Sequence, residues 1–341
     1  MIDNVLVHVD KTNTTGFKHF VKILYVDFSS AFNTIQPHIM MQKLCMMNVN
    51  SRLILWIKDF LTERPQYVKF SGHASDCRYT YTGAPQGCVL SPLLFTLYTS
   101  DCRSQSKQCK IYKYADDTAI VSQCINDDYC YQTKVANFVQ WCKDNFLELN
   151  VKKTKEMVID YRSSDVTHTK LYIENKLVES VEEYKYLGVT IDVNFNFHKH
   201  CDALYKKLLS RMYFVRKLHR IGLECTIMDL FYSSILQSVI IFAITCWYGN
   251  CTKDAKSKII RIINNCRKLG VNTVDILDIY KKCTMKRFKS IRSDPSHPLY
   301  DHYQMLPSGR RFRSIKCRTE RYSRSYVPSS IRILNDLKMT L

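Results

Sequence analysis

The first strong apolar run, residues 22–28 (KILYVDF), predicts a buried strand that ends on Asp27. Leu53, Ile54, Trp56, Ile57, Phe60 and Leu61 then recur at helical spacing until Pro65 breaks the pattern. Residues 66–70 (QYVKF) read as a strand, and residues 89–98 (VLSPLLFTLY) as a helix opening after a glycine-bearing loop. Residues 110–122 predict a hairpin with adjacent acids, Asp116 and Asp117, at its tip. Apolar positions 135, 138, 139, 142 and 146 mark one face of a helix over residues 133–149. Strand-like pieces return at 156–161, 171–173 and 186–191, and from about His198 the pattern is mostly helical. The most apolar window, residues 235–248 (ILQSVIIFAITCWY), is shorter than the roughly 18–20 residues of a membrane span. Gln237 and Ser238 interrupt it, so it reads as a buried core segment. This order of elements predicts an α+β sheet domain followed by a helical domain.

Composition agrees with a folded chain. The 341 residues are 46% hydrophobic and 12% aromatic, enough for two or three domains with cores of their own. The formal net charge is +19 and unevenly spread: residues 251–341 hold 21 Lys and Arg against 7 Asp and Glu. A concentrated basic region suits a polyanionic partner, most often nucleic acid. No basic run followed by an apolar one opens the chain as a signal peptide would. Fifteen cysteines occur with no CxxC pair, which argues against zinc-ribbon and thioredoxin-like readings. Reduced structural thiols are expected, with His198, His200, Cys201, Cys246, Cys251 and Cys266 as a loose alternative set of zinc ligands.

Asp116 and Asp117 need an explanation in so basic a chain. Neighbouring strand residues face opposite ways, so one acid should be a primary ligand and the other secondary. Carboxylates held together repel one another unless a cation is present, and hard oxygen donors suit Mg²⁺ or Mn²⁺. Asp27 also ends an apolar strand and is the candidate third acid. If it met Asp116, the pair could hold two ions for a phosphoryl transfer.

Five blocks in order, "YVDFSSAFNTIQP" (25–37), "TGAPQGCVLSPLLFTLYTSD" (82–101), "YADD" (114–117), "LNVKKTKEM" (149–157) and "YLGV" (186–189), resemble the reverse transcriptases of non-LTR (LINE-like) retrotransposons. The basic tail resembles the region that follows the polymerase in such elements. The resemblance implies an α+β right-hand polymerase: partial fingers and palm over residues 1–195, a helical thumb-like region over 196–250 and a basic C-terminal region over 251–341. It implies RNA-directed DNA polymerase activity, with an RNA template, a DNA primer and dNTP as partners, no membrane, and work in the nucleus. Asp27, Asp116, Asp117 and the carbonyl of Phe28 would hold two Mg²⁺ or Mn²⁺ ions, with Asp116 primary beside Asp27. Phe32 lies five residues after Asp27, where its ring would collide with a ribose 2′-hydroxyl and favour deoxynucleotides. Gln86 and Gly87 would touch the nucleotide or template, and Lys153, in competition with Lys152 and Lys155, would face the departing pyrophosphate. Leu187 and Gly188 would grip the primer, and Arg310, Arg311, Arg313, Lys316, Arg318 and Arg321 would bind nucleic-acid phosphates. Few residues precede Asp27, so the chain is expected to be an N-terminally truncated fragment. A non-catalytic nucleic-acid-binding remnant is the alternative.

Overall fold

The computed structural model describes residues 1–10, 19–104, 106, 108–125, 128–161 and 168–337. The chain divides into two compact units, residues 16–181 and residues 1–15 with 182–341. That division falls ahead of residue 195. The hairpin of Glu183–Tyr186 and Val189–Asp192 packs on the helix that follows it, and so belongs to the second unit.

The unit of residues 16–181 is built on a five-stranded sheet. Its strands are β1 (His19–Val26), β2 (Cys109–Tyr114), β3 (Asp117–Ile125), β4 (Lys155–Ile159) and β5 (Glu179–Ser180), in the spatial order β5-β4-β1-β3-β2. Central β1 is antiparallel to both β3 and β4. It is buried from Phe20 to Val26, which is why it reads as a continuous apolar run rather than an alternating one. Lys22 is the polar exception. Its Nζ pairs with Asp128 at 2.7 Å and Glu156 at 3.6 Å and donates to the Thr169 carbonyl at 2.9 Å. A buried charge persists only when paired in this way. Burial holds the Glu156 carboxyl above its usual range, against the pull of Lys22.

Four helices cover this sheet: α1 (Pro37–Met46), α2 (Ser51–Leu61), α3 (Leu90–Tyr98) and α4 (Tyr129–Asp144). One core joins Leu24 and Val26 of β1, Ile120 of β3, Leu44 of α1, Leu61 of α2, Phe95 of α3 and Phe138 of α4. Pro37 sits at the first turn of α1, and Asn50 caps α2 by accepting the Arg52 amide. Two expectations change here. The strand read at 66–70 is two pieces, Arg64–Gln66 and Lys69–Phe70, paired with Arg78–Thr80 and His73–Ala74 in a largely exposed arm. The helix read at 133–149 runs Tyr129–Asp144, because Phe146 takes a left-handed φ of 54° that ends it.

The second unit is mostly helical. Helix α5 (His198–Arg220) buries Cys201, Leu204, Leu208, Met212 and Val215, one stripe, against α6 (Lys253–Lys268) with its buried Ile259, Ile262, Ile263 and Cys266. The helical run Cys225–Trp247 is long and apolar enough by length and composition to cross a membrane, and 28% of its most apolar window is buried. The expected burial of residues 235–248 therefore holds for a stripe only: Leu236, Ile240, Ile244 and Trp247 are buried, while Ile241 and Phe242 are exposed. A separate small core gathers Phe288 of α7 (Ile276–Arg292) with Tyr303, Phe312, Tyr326 and Ile331. Asp10, at the end of helix Ile2–Asp10, accepts the amides of Arg318 and Thr319 at 3.0 and 2.7 Å.

Candidate active site

The ladder between β1 and β3 ends with the pair Val26–Thr118. Tyr114 pairs with Asp117, so Ala115 and Asp116 form the two-residue turn between β2 and β3. Ala115 has a left-handed φ of 52°, a conformation that costs a non-glycine residue about 1–2 kcal/mol. Both acids lie just past that last pair: Asp27 follows Val26 and Asp117 precedes Thr118. Asp116, the expected primary ligand beside Asp27, sits in the turn itself, and Asp117 opens β3.

The three acids feel one another. The Asp117 carboxyl is held above its usual range, first by burial, then by the charges of Asp116 and Asp27. Asp27 is half-buried, and Asp116 and Asp117 are exposed. Among the described residues, no three His, Cys, Asp or Glu side chains converge closely enough to hold a metal ion. The donor set still fits a hard divalent cation. Like charges gathered at one strand end raise Asp117, where a bound cation would lower it.

Beyond Val26 the chain leaves β3 and follows residues 148–150. The Ser29 amide donates to the Glu148 carbonyl at 2.8 Å, and the Asn150 amide donates to the Asp27 carbonyl at 2.9 Å, around an isolated Phe28–Leu149 bridge. The carbonyl of Phe28 takes no part in that bridge. The rings of Phe28 and Phe32 lie 6.1 and 5.4 Å from that of buried Phe95. Phe32 is half-buried, in the single turn Ala31–Asn33, so its ring edges the core and keeps a face toward solvent.

The glycine-bearing loop is locked onto that turn. The Gly83 amide donates to the Ile35 carbonyl at 2.7 Å and the Ala84 amide to the Phe32 carbonyl at 2.8 Å. Arg64 donates to the carbonyls of Thr82 and Gly83 at 2.7 and 3.0 Å, and Ser91 Oγ binds the Pro85 carbonyl at the start of α3. Gln86 is exposed and its Nε2 donates to Asn33 Oδ1 at 3.3 Å, while Gly87 is exposed at φ 80°. The Ser91 hydroxyl also lies 2.9 Å from Cys88 Sγ. Arg64 and Asn33 were not picked from the sequence, since each meets a backbone or amide group distant along the chain.

Lys153 and Lys152 are exposed on the turn before β4, whereas Lys155 is taken up by Glu179 at 2.5 Å. The next residue after Lys153, buried Thr154, accepts the Asp27 amide on Oγ1 at 3.3 Å. No spacing rule points to such a contact.

A family model described as reverse transcriptase (RNA-dependent DNA polymerase) matches residues 6–191, a stretch that includes the sheet, the acid-bearing turn and the glycine loop. The chain belongs to the reverse transcriptase family. It is 26% identical over 222 residues to the RNA-directed DNA polymerase from mobile element jockey of Drosophila melanogaster, covering 61% of this chain and 24% of that protein. It is 25% identical over 276 residues to the probable RNA-directed DNA polymerase from transposon X-element of the same fly, covering 75% of this chain and 30% of that protein. The chain thus spans about a quarter to a third of the length of these curated relatives. A solved telomerase from Candida tropicalis, in complex with a TWJ fragment of telomeric RNA, aligns with a TM-score of 0.44 at 11% identity, covering 87% of this chain and 50% of that one.

The remaining expected site residues belong to the second unit. Leu187 and Gly188, at φ 47° and 80°, are the two central residues of the turn between Tyr186 and Val189, where the apolar pattern had suggested one continuous strand. Arg310, Arg311, Arg313, Lys316 and Arg318 are exposed and Arg321 is half-buried. Among the described residues no cysteine forms a disulfide. Cys201 and Cys251 meet at 2.8 Å between sulfurs, while the His200 ring lies 5.5 Å from that of Trp247, tilted by 56°. The loose His/Cys set does not assemble into a zinc site among the described residues.

Proposed function

We propose that this chain carries the nucleotidyl-transfer centre of a non-LTR retrotransposon polymerase, which extends a primer 3′-hydroxyl with deoxynucleotides on an RNA template. The supporting observation is that Asp27, Asp116 and Asp117 gather just past the end of the β1–β3 ladder, on the unit whose loop is locked by Gly83. Asp27, Asp116, Asp117 and the Phe28 carbonyl would hold Mg²⁺ or Mn²⁺. Two such ions, when bound, acidify the primer hydroxyl and neutralise the departing pyrophosphate. The chain's own residues would do the rest by positioning and charge, with no covalent intermediate. Phe32 would exclude a ribose 2′-hydroxyl. Gln86 and Gly87, ahead of the α3 N-terminus, would meet nucleotide or template. Lys153 would face the leaving group, and Leu187 and Gly188 the primer. The arginines and lysine of residues 310–321 would hold backbone phosphates without reading sequence.

Primer extension tests this reading, with poly(rA) template, oligo(dT) primer, dTTP and Mg²⁺ or Mn²⁺. The wild-type chain should extend the primer, and the double variant Asp116→Asn, Asp117→Asn should not. In the same assay Phe32→Val should raise rNTP incorporation. No extension above the double variant, with salt-dependent RNA binding retained, would favour a nucleic-acid-binding remnant instead.

A further inference from the structure

Resting on the reading of Asp27 as a metal-ligating carboxylate, we propose that the turn Asn150–Thr154 is a clasp that positions Asp27, with the Thr154 hydroxyl as its key group. The sheet's own hold stops short of this acid. The ladder to β3 ends at Val26–Thr118 and the ladder to β4 ends at Tyr25–Lys155. Asp27 therefore has no ladder partner on either side. Both its main-chain groups are nonetheless satisfied, and both by the same turn: its amide donates to Thr154 Oγ1 at 3.3 Å, and its carbonyl accepts from the Asn150 amide at 2.9 Å.

Thr154 stands where a backbone carbonyl of β4 would stand if the ladder continued. The chain at 151–153 is turning instead, so a side-chain oxygen takes the donor that would otherwise be orphaned. Thr154 is 1% exposed, so bulk water does not compete for that amide. The turn is itself braced. The amides of Lys153 and Thr154 both donate to the Asn150 carbonyl, at 3.1 and 2.9 Å, and the Lys153 amide also meets Asn150 Oδ1 at 3.2 Å. Lys155, paired with Glu179, anchors its far end. The backbone of Asp27, and with it the direction of its Cα–Cβ bond, is held by two hydrogen bonds from one turn. That same turn carries exposed Lys153.

The test compares Thr154→Val, which keeps the shape and removes the acceptor, with Thr154→Ser, which keeps the acceptor. Both are made in the full chain. Amide hydrogen exchange at Asp27 is followed by NMR, and Mn²⁺ affinity by electron paramagnetic resonance. In Thr154→Val the Asp27 amide should exchange roughly three- to tenfold faster, the span expected for one net hydrogen bond. The amides of residues 21–25 should keep their protection, Mn²⁺ affinity should fall by a similar factor, and Thr154→Ser should restore both. Unchanged exchange at Asp27 in Thr154→Val, loosening of β1 as a whole, or a serine variant that behaves like valine would each overturn the clasp. A wild-type chain that binds no Mn²⁺ would sink the metal reading of Asp27, and the exchange measurement would still decide the clasp.

Discussion

Gly83 and Gly87 both take a left-handed φ, yet only one is sterically obliged to be glycine. A Cβ at Gly83 would lie 2.7 Å from Asn33 Cα and 2.9 Å from the Phe32 carbonyl oxygen, whereas a Cβ at Gly87 would meet nothing within 4 Å. Gly83→Ala should therefore destabilise the chain by about 2–4 kcal/mol, combining backbone strain with a clash that only backbone movement relieves. Gly87→Ala should lose about 1 kcal/mol, the conformational term alone. Urea unfolding of the two variants checks the ranking, and equal losses would contradict it. The glycines of "GAPQG" were visible in the sequence. Which of them packs was not, because the answer lies in a turn far away along the chain. The same holds for the acids. Their residue type and strand-end position were legible, while the contact of the Asp27 amide with Thr154 was not.

At the scale of elements, the hairpin of residues 183–192 shows what periodicity misses. Residues 186–191 read as one strand, but Leu187 and Gly188 reverse the chain, and both have positive φ. Such two-residue turns favour Asn-Gly or Gly-Gly, so Leu187 is a costly choice. Leu187→Gly should raise stability by about 0.5–1 kcal/mol in urea unfolding. If the side chain serves the primer, the same variant should bind primer–template more weakly by filter binding. A stability gain with unchanged binding would remove Leu187 from the primer site. Gly188 is tied to a remote element as well, since a Cβ there would come within 3.0 Å of the Phe242 ring. By contrast β1, α2 and α3 were legible within a few residues, because each carries its own apolar period or run.

For the whole molecule, charge was the clearest guide. Most of the +19 excess lies after residue 250, and a stretch closed by the Met305–Phe312 bridge exposes Arg310, Arg311 and Arg313. The triple variant Arg310→Ala, Arg311→Ala, Arg313→Ala should weaken binding to unrelated RNA sequences alike. It should also flatten the plot of log affinity against log salt by roughly two to three units. Filter binding over a salt series measures both, and an unchanged slope would show that these arginines do not touch phosphate. What the sequence determined by itself was local or additive: apolar periods, net charge, the ordered motifs and the acids at strand ends. Tertiary structure alone decided which groups meet. Locking Gly83 on Asn33 and handing the Asp27 amide to Thr154 both depend on strand register and loop docking. Those contacts join residues far apart in the chain, where no short-range pattern can encode them.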